Sequence, residues 1–354
     1  EQNLQLALES TATAVTVDAA VTPVNTIDAT MGNNFTSKPI LQLPFEGRNI
    51  VGLLALQPGV TYYGDNDRSN YRSGNVNGGK SDQTNITLDG VDFNDQDERA
   101  SFSSAFRVSL DTVEEFRVVT TGANAELGRS SGAQITLVSK SGTNAPHASA
   151  YYFLRNRATN ANSFFNNQSG LPVAKLNRNI YGTSIGGPVR KDKLFIFGNY
   201  EARHDRREDS TVNRVPTQSF RNGELKYLRN DRSIATVTPA QVRTMVDPLG
   251  LGANTLSTRI LNSYPLPNDT SQGDGLNTSG FRFNAPVGLH WQSYMTRLDY
   301  VRGNHTFFAR GNLQRDRSTD IPFFPGQPPS NTNLDSSKGI ALGWNGVIKS
   351  AIVT

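Results

Sequence analysis

The chain contains no cysteine, which excludes a disulfide scaffold and any thiolate-held metal. It also lacks a long hydrophobic run. The densest short stretch, Ile50 to Leu56, is interrupted by Gly52, whereas a membrane-spanning helix needs ~18 consecutive apolar residues. A helical membrane protein is therefore excluded. Histidine is scarce: His147, His204, His290 and His305 are far apart, and none belongs to an H-E-x-x-H motif. No G-x-S-x-G elbow marks a nucleophile, and the acidic residues are too numerous for spacing to nominate an acid–base pair. The reading is accordingly not an enzyme, with no catalytic residue, no cofactor and no metal site. A net charge of +4 with scattered Lys and Arg gives no basic stripe, so no nucleic acid is expected as a partner. The opening EQNLQLALES has no basic region followed by an apolar core, so it is not a signal peptide, and a processed product or internal fragment is expected.

Two local patterns are decoys. Gly74 to Ser81, GNVNGGKS, satisfies G-x-x-x-x-G-K-S, yet it follows polar GDNDRSNYRS and precedes SDQTNITLDG, which reads as a strand ending in a turn. A phosphate loop needs an apolar strand before it and a helix N-terminus after it. The acidic run Asp89 to Glu98, DGVDFNDQDE, fails the EF-hand pattern, because counting from Asp92 puts Asp97 at position six and Ser103 at position twelve. It reads as a solvated turn.

What the chain does have is 31 glycines and only 36% hydrophobic residues, a texture shared by soluble loop-rich proteins and by membrane barrels whose apolar residues recur at alternate positions. Several segments alternate in that way. Leu194, Ile196, Gly198, Tyr200 and Ala202 oppose Asn199, Glu201 and Arg203, which share their face with Phe195 and Phe197. Ala148, Ala150, Tyr152 and Leu154 oppose Ser149, Arg155 and Arg157. Tyr294 to Tyr300, Phe307 to Leu313 and Ile340 to Ile348 repeat the rule. One face suits lipid and the other water. The turns RKDK and RGN are tight, while Arg206 to Pro286 reads as a very long polar loop. Short periplasmic turns and long external loops are the habit of outer-membrane barrels, which places that loop outside. About six strands are visible. Because an open edge in lipid strands backbone polar groups, the wall is expected to continue past Thr354. Upstream, a helix is predicted over Gly47–Leu56, and strands over Asn85–Leu88, Glu115–Val119 and Gln134–Val138.

The runs LPFEGRNIVGLLALQPGV, NGGKSDQTNITLDGVD, VEEFRVVTTGANAELGRSSGAQITLVSKSGTN, SAYYFLRN and IGGPVRKDKLFIFGNYEA together resemble the plug and first barrel strands of TonB-dependent outer-membrane receptors. Within that family they are most similar to the Oar-like branch, which carries a carboxypeptidase-regulatory-like domain ahead of the plug. The expected fold class is an α+β plug domain followed by the N-terminal strands of a transmembrane antiparallel β-barrel, truncated in this chain. Residues 1–30 would be the end of a regulatory-like β-domain and a linker, 31–145 the plug, and 146–354 the first strands of a barrel that in the family has about 22.

The resemblance implies a receptor in the outer membrane of a Gram-negative-type bacterium. It would bind an unidentified nutrient (carbohydrate, peptide or metal chelate) and import it by plug rearrangement, energised by the TonB-ExbB-ExbD complex. A structural or adhesive outer-membrane barrel without import is the alternative. The implied partners are outer-membrane lipid, that complex and an extracellular ligand. Glu115, Arg117, Arg129 and Lys140 match the plug motif whose charges would lock plug to barrel. Tyr62, Tyr63, Asp65, Arg68, Tyr71 and Asp92 offer stacking faces and hydrogen bonds for a ligand on the outer side of the plug. Val15, Thr16 and Val17 resemble the extended box to which TonB adds a strand, although Asp18 departs from the pattern and the segment also reads as the last strand of the preceding domain.

Overall fold

A computed structural model describes residues 30–42, 48, 50–65, 72–96, 102–124, 127–128, 131–247, 249–349 and 352–353. Val15, Thr16, Val17, Arg68, Tyr71 and Arg129 lie outside the described residues.

The plug is built on a five-stranded sheet ordered β1-β6-β7-β4-β5, from β1 (Met31–Thr36), β4 (Asn85–Leu88), β5 (Val91–Asp92), β6 (Val113–Thr121) and β7 (Gln134–Ser139). Among the described residues only the β4–β7 pair is parallel. A second hairpin joins β2 (Val60–Asp65) to β3 (Arg72–Val76), and one short helix, α1 (Ser37–Gln42), follows β1. The expected strands fall within β4, β6 and β7. The expected helix is instead a 3-10 helix, Ile50–Leu56. It buries Ile50, Val51, Leu53 and Leu54 against Ile86, Leu88, Phe116, Val118, Ile135 and Leu137 of the sheet, each such side chain contributing about 1.5–3 kcal/mol. The phosphate-loop pattern ends in a turn at Asn77-Gly78 and a single 3-10 turn, Ser81–Gln83, so no helix N-terminus faces the glycines.

The wall is a seven-stranded antiparallel sheet ordered β16-β15-β14-β13-β10-β9-β8. Its strands are β8 (His147–Asn156), β9 (Leu176–Arg190), β10 (Leu194–Pro216), β13 (Thr278–Arg302), β14 (His305–Thr319), β15 (Thr332–Lys349) and the short β16 (Ile352–Val353). The β9–β10 turn is tight, with Asp192 at φ 62°, and the β13–β14 turn uses Gly303 at φ 57°. Connections at the opposite end are long. The one after β8 holds α2 (Phe164–Gln168); the one after β10 holds α3 (Gln218–Arg221), the hairpin β11 (Leu225–Leu228) with β12 (Ile234–Val237), α4 (Pro239–Val246) and α5 (Thr255–Ser263).

Two sequence expectations need correction here. Arg206 to Pro286 is not all loop, because β10 and β13 stay paired from Leu194↔Tyr300 to Pro216↔Thr278. The outer stretch of β10, RREDSTVNRVP, has no apolar face to signal a strand, and its partner supplies the ladder instead. Arg157 does not continue the polar face of β8. The strand ends at Asn156, whose side chain accepts from the Ala158 backbone N–H at 3.0 Å and caps a 3-10 turn over Arg157–Thr159.

Burial along the wall is inverted relative to a water-soluble sheet. Asn199, Glu201, Arg203 and Asp205 on β10 are buried, as are Arg310 and Gln314 on β14, while Ile196, Leu298, Leu313, Ile340, Leu342 and Trp344 are exposed. Charged and polar side chains therefore face the plug, with Phe197, Trp291 and Met295 buried among them, and the outward face at this level is apolar, the arrangement a lipid solvent requires. Beyond Gln292, toward the long connections, the pattern on β13 reverts. Phe283, Ala285, Val287 and Leu289 are buried on the inner side, and the alternate positions become Asn284, Pro286, Gly288 and His290.

Candidate functional site

Among the described residues the plug's apolar cluster contains no wall residue. Contact between plug and wall is instead carried largely by three sets of charged and polar groups.

The first set is centred on Asp89. The Asp89-Gly90 turn between β4 and β5 has both residues at positive φ, 51° and 79°, as a two-residue hairpin turn demands. It presents the Asp89 carboxylate to the wall. Asp89 accepts from the Ser139 backbone N–H at 2.8 Å and from its hydroxyl at 2.7 Å. The same carboxylate lies 3.0 Å from Arg297 Nη1 and 2.7 Å from Arg310 Nε. These arginines face each other across β13 and β14 in direct register, a like-charge pairing that costs stability by itself. Asp299 also pairs with Arg297 at 2.8 Å, and Arg310 Nη2 donates to the Leu88 carbonyl at 3.1 Å. The side chain of Asp89 is only 4% exposed, so this member of the acidic run is a desolvated ion-pair partner. The expected solvated turn is corrected at this residue because the wall closes over it.

The second set surrounds Glu201. Tyr151, Gly182 and Glu201 lie in one row across β8, β9 and β10. Gly182 leaves the gap that lets the Tyr151 hydroxyl donate to Glu201; a Cβ at Gly182 would sit 2.4 Å from that hydroxyl oxygen. From the plug, Ser109 Oγ donates to Glu201 at 2.9 Å, and Arg48 Nε lies 3.3 Å from the same carboxylate. Arg48 also pairs with Asp111, and its guanidinium stacks 4.3 Å from the Tyr151 ring centre. Burial opposes the Arg48 charge, but Glu201, Tyr151 and Asp111 outweigh it and raise its pKa above the ordinary value.

The third set is Arg107. Its Nε donates to Asp316 at 2.8 Å, its backbone N–H donates to Gln314, and its carbonyl accepts from Ser293 at 3.3 Å. Where the chain leaves the plug, Gly142 passes so close to the wall that a Cβ would lie 2.4 Å from the Ile196 carbonyl oxygen.

The sequence-derived gating residues lie elsewhere. Glu115 and Arg117 sit on β6 in the middle of the plug sheet, opposite Thr36 and Asn34 of β1 and opposite Val138 and Thr136 of β7. Among the described residues neither they nor Lys140 form an ion pair with the wall; the Lys140 backbone N–H donates to Thr112 at 2.8 Å. Of the ligand candidates, Tyr62 packs its ring 5.8 Å from Phe102. Tyr63 is exposed, with Asn75 Nδ2 at 3.4 Å from its hydroxyl. Asp65 ends β2. Asp92 accepts from Asn94 and Gln96 within its own turn. Sequence reading missed Arg48, Asp89, Arg107 and Asp111; the Asp-Gly pair between two short strands was the one local signal for Asp89.

Comparison with known proteins agrees with this architecture. A family model described as an outer membrane beta barrel domain matches residues 138–354, and one described as the TonB-dependent receptor plug domain matches residues 34–133. The chain is 25% identical over 254 residues to the TonB-dependent transporter Oar of Myxococcus xanthus, covering 68% of this chain and 23% of that protein. Among solved structures, the outer membrane transporter YddB of Escherichia coli has a TM-score of 0.54 at 12% identity, over 90% of this chain and 37% of that one. A ferric enterobactin receptor mutant from Pseudomonas aeruginosa has a TM-score of 0.50 at 12% identity, over 89% of this chain and 38% of that one. Those two structures show a shared fold.

Proposed function

The chain belongs to the TonB-dependent outer-membrane receptors, a family of transport proteins, and on that premise we propose that it takes up a nutrient by displacing its plug from the wall. In this reading residues 31–145 are the plug, residues 146–354 begin the barrel, and the long connections face outward. Residues 1–30 join the plug to a preceding domain and carry the TonB contact at Val15–Val17. The energy source is the TonB-ExbB-ExbD complex of the inner membrane.

The observation that carries the reading is the chemistry of the contact. Asp89, Arg48 and Arg107 tie the plug to the wall through ion pairs and hydrogen bonds. Water entering the lumen can replace such partners group by group, whereas a continuous apolar seam would resist separation. Catalysis has no part in this reading. Glu115, Arg117, Arg129 and Lys140 would act inside the plug by keeping its sheet intact under load, and Tyr63 and Asp92 would meet the ligand on its outer surface.

The test is energy-dependent growth. Cells with and without the full-length protein are compared on an oligosaccharide, a peptide mixture and an iron chelate as limiting nutrients, then again with a protonophore or without TonB. An advantage on one nutrient that disappears in both energy-depleted arms is the expected result. An advantage that survives them, or attachment to surfaces as the only phenotype, would replace import with the structural or adhesive reading.

A further inference from the structure

The outward face of β10, β13, β14 and β15 divides sharply by charge. All carboxylates of the paired stretches Leu194–Arg206, Gly288–Tyr300, Phe307–Arg317 and Leu334–Gly346, namely Glu201, Asp205, Asp299, Asp316 and Asp335, occupy inward positions. The alternate, outward positions hold Arg206, Arg315, Arg317 and Lys338, all exposed, together with His204 and His290. None of these four cations forms an ion pair among the described residues. Register places the cations close together: Arg315 lies opposite Ser336 and Arg317 opposite Leu334, while Lys338 lies opposite Leu313. Arg315 and Lys338 are thus diagonal neighbours at about 7 Å.

This cationic row sits at a boundary. On β13 the outward residues change from Gly288, His290 and Gln292 to Tyr294, Thr296, Leu298 and Tyr300. Tyr294 packs against Tyr200 with ring centres 4.8 Å apart, and such residues collect at the level of lipid headgroups. The cations lie at that level and on its polar side.

Directly on the apolar side is a groove. Thr296 and Ile340 flank its floor at Gly311, and the row Tyr294, Leu313 and Lys338 forms its upper rim, around an open volume of about 530 Å³. It is followed along the same strands by a second groove of about 570 Å³, lined by Leu298, Tyr300, Phe307, Ala309, Leu342 and Trp344. The small residues Gly311 and Ala309 on β14 make one trough of the two, bounded along the strand by Leu313 opposite Lys338 and Phe307 opposite Trp344. A Cβ placed on Gly311 would meet nothing within 4 Å, so the trough is open rather than filled by the wall's own packing.

We propose that this strip is a specific site for an anionic, phosphate-bearing lipid of the leaflet on the side of the long connections. Arg315, Arg317 and Lys338 take the phosphate, and one acyl chain lies in the trough. Charge complementarity and depth select this occupant. A zwitterionic lipid would leave the cations without net compensation, and an anion with no chain would leave the trough uncovered. The inference rests on the outer-membrane placement of the wall and not on import.

Native mass spectrometry of the full-length detergent-solubilised receptor tests it, with phosphatidic acid, phosphatidylcholine and inorganic phosphate as probes. Wild-type protein should retain phosphatidic acid and resist its displacement by inorganic phosphate. The double variant Arg315→Ser, Lys338→Ser should weaken that retention at least tenfold and leave phosphatidylcholine unchanged. Gly311→Leu, which fills the trough without a clash, should weaken it too. Heat-modifiable migration on a gel confirms that each variant is folded. Retention unchanged in both variants, equal retention of the two lipids by wild type, or full displacement by inorganic phosphate would each overturn the proposal. Lipid binding is read on purified protein without TonB, so loss of energy-dependent uptake with lipid retention intact would count against import alone.

Discussion

Asp89 of the plug lies 3.0 Å from Arg297 of the wall, 208 positions further along the chain. The pair is desolvated on both sides, with side chains 4% and 14% exposed, and Arg310 shares the same carboxylate at 2.7 Å. Two wall arginines that oppose each other in register thus share an acid that the wall does not own, and the wall's own Asp299 reaches Arg297 alone. Seating of the plug and relief of like-charge repulsion in the wall are one event.

Removing that charge should loosen the plug. Asp89→Asn keeps the shape but leaves Arg297 with Asp299 alone and Arg310 opposite it with no acidic partner among the described residues, and breaking a buried pair on one side costs about 3–5 kcal/mol. Urea unfolding of the plug, followed separately from the wall, should show a loss of that order. Adding Arg310→Gln should recover part of it, because the repulsion is then removed.

Gly182 should tolerate no side chain. Its Cβ would stand 2.4 Å from the Tyr151 hydroxyl oxygen, so Gly182→Ala pushes the tyrosine off Glu201 and destabilises the protein by about 1–3 kcal/mol. Tyr151→Phe should cost about 1 kcal/mol, the size of a single hydrogen bond, because Arg48 and Ser109 still satisfy Glu201. Thermal unfolding of the three proteins side by side gives the comparison.

The long connection after β10 should loosen in acid. Burial by itself would raise the Asp269 pKa, but hydrogen bonds from Ser271 and the ion pair with Arg282 at 2.6 Å outweigh it and hold the carboxyl at about 2. A folded value below the unfolded ~3.9 stabilises the connection fully above about pH 4, and that contribution is lost as the pH falls from there toward the folded value. Pepsin cleavage of the connection should therefore rise between about pH 4 and pH 2. Asp269→Asn should flatten part of the rise, the remainder belonging to Asp274, whose carboxyl is likewise held low by the Thr278, Leu276 and Asn277 backbone N–H groups.

Charges should be tolerated by side rather than by position along a strand. Leu342→Arg, on the outward face, is expected to cost about 2–4 kcal/mol in a bilayer, and Leu298→Arg should behave alike. Asn312→Arg, at an inward position of the neighbouring strand, should cost less. Refolding yield into vesicles of fixed composition ranks the three.

Local pattern made much of this fold legible. Short β-rich runs located β4, β6 and β7, and period-two alternation located the wall strands wherever lipid imposes it. Beyond the lipid boundary that constraint ends, so RREDSTVNRVP gave no sign of a strand although it pairs with β13 residue by residue. The contact residues were hidden for a different reason. Arg48, Asp89 and Arg107 owe their roles to partners more than 150 positions away, which no local spacing encodes. Glu115 and Arg117 drew attention because their motif is compact, yet β6 holds them in the interior of the plug sheet.

The central claim is that the wall shows lipid one face and the plug the other, with the plug seated by polar contacts that can be exchanged for water. Single cysteines placed in turn from Trp291 to Tyr300 of the full-length receptor, with any cysteine outside this chain replaced, read both faces directly in vesicles, since these 354 residues contain none of their own. The account predicts that a lipid-dissolved quencher reaches labels at 294, 296, 298 and 300. A water-soluble maleimide should reach 293, 295, 297 and 299 only after urea has displaced the plug. Equal labelling of odd and even positions, or free access to the odd ones with the plug in place, would contradict it.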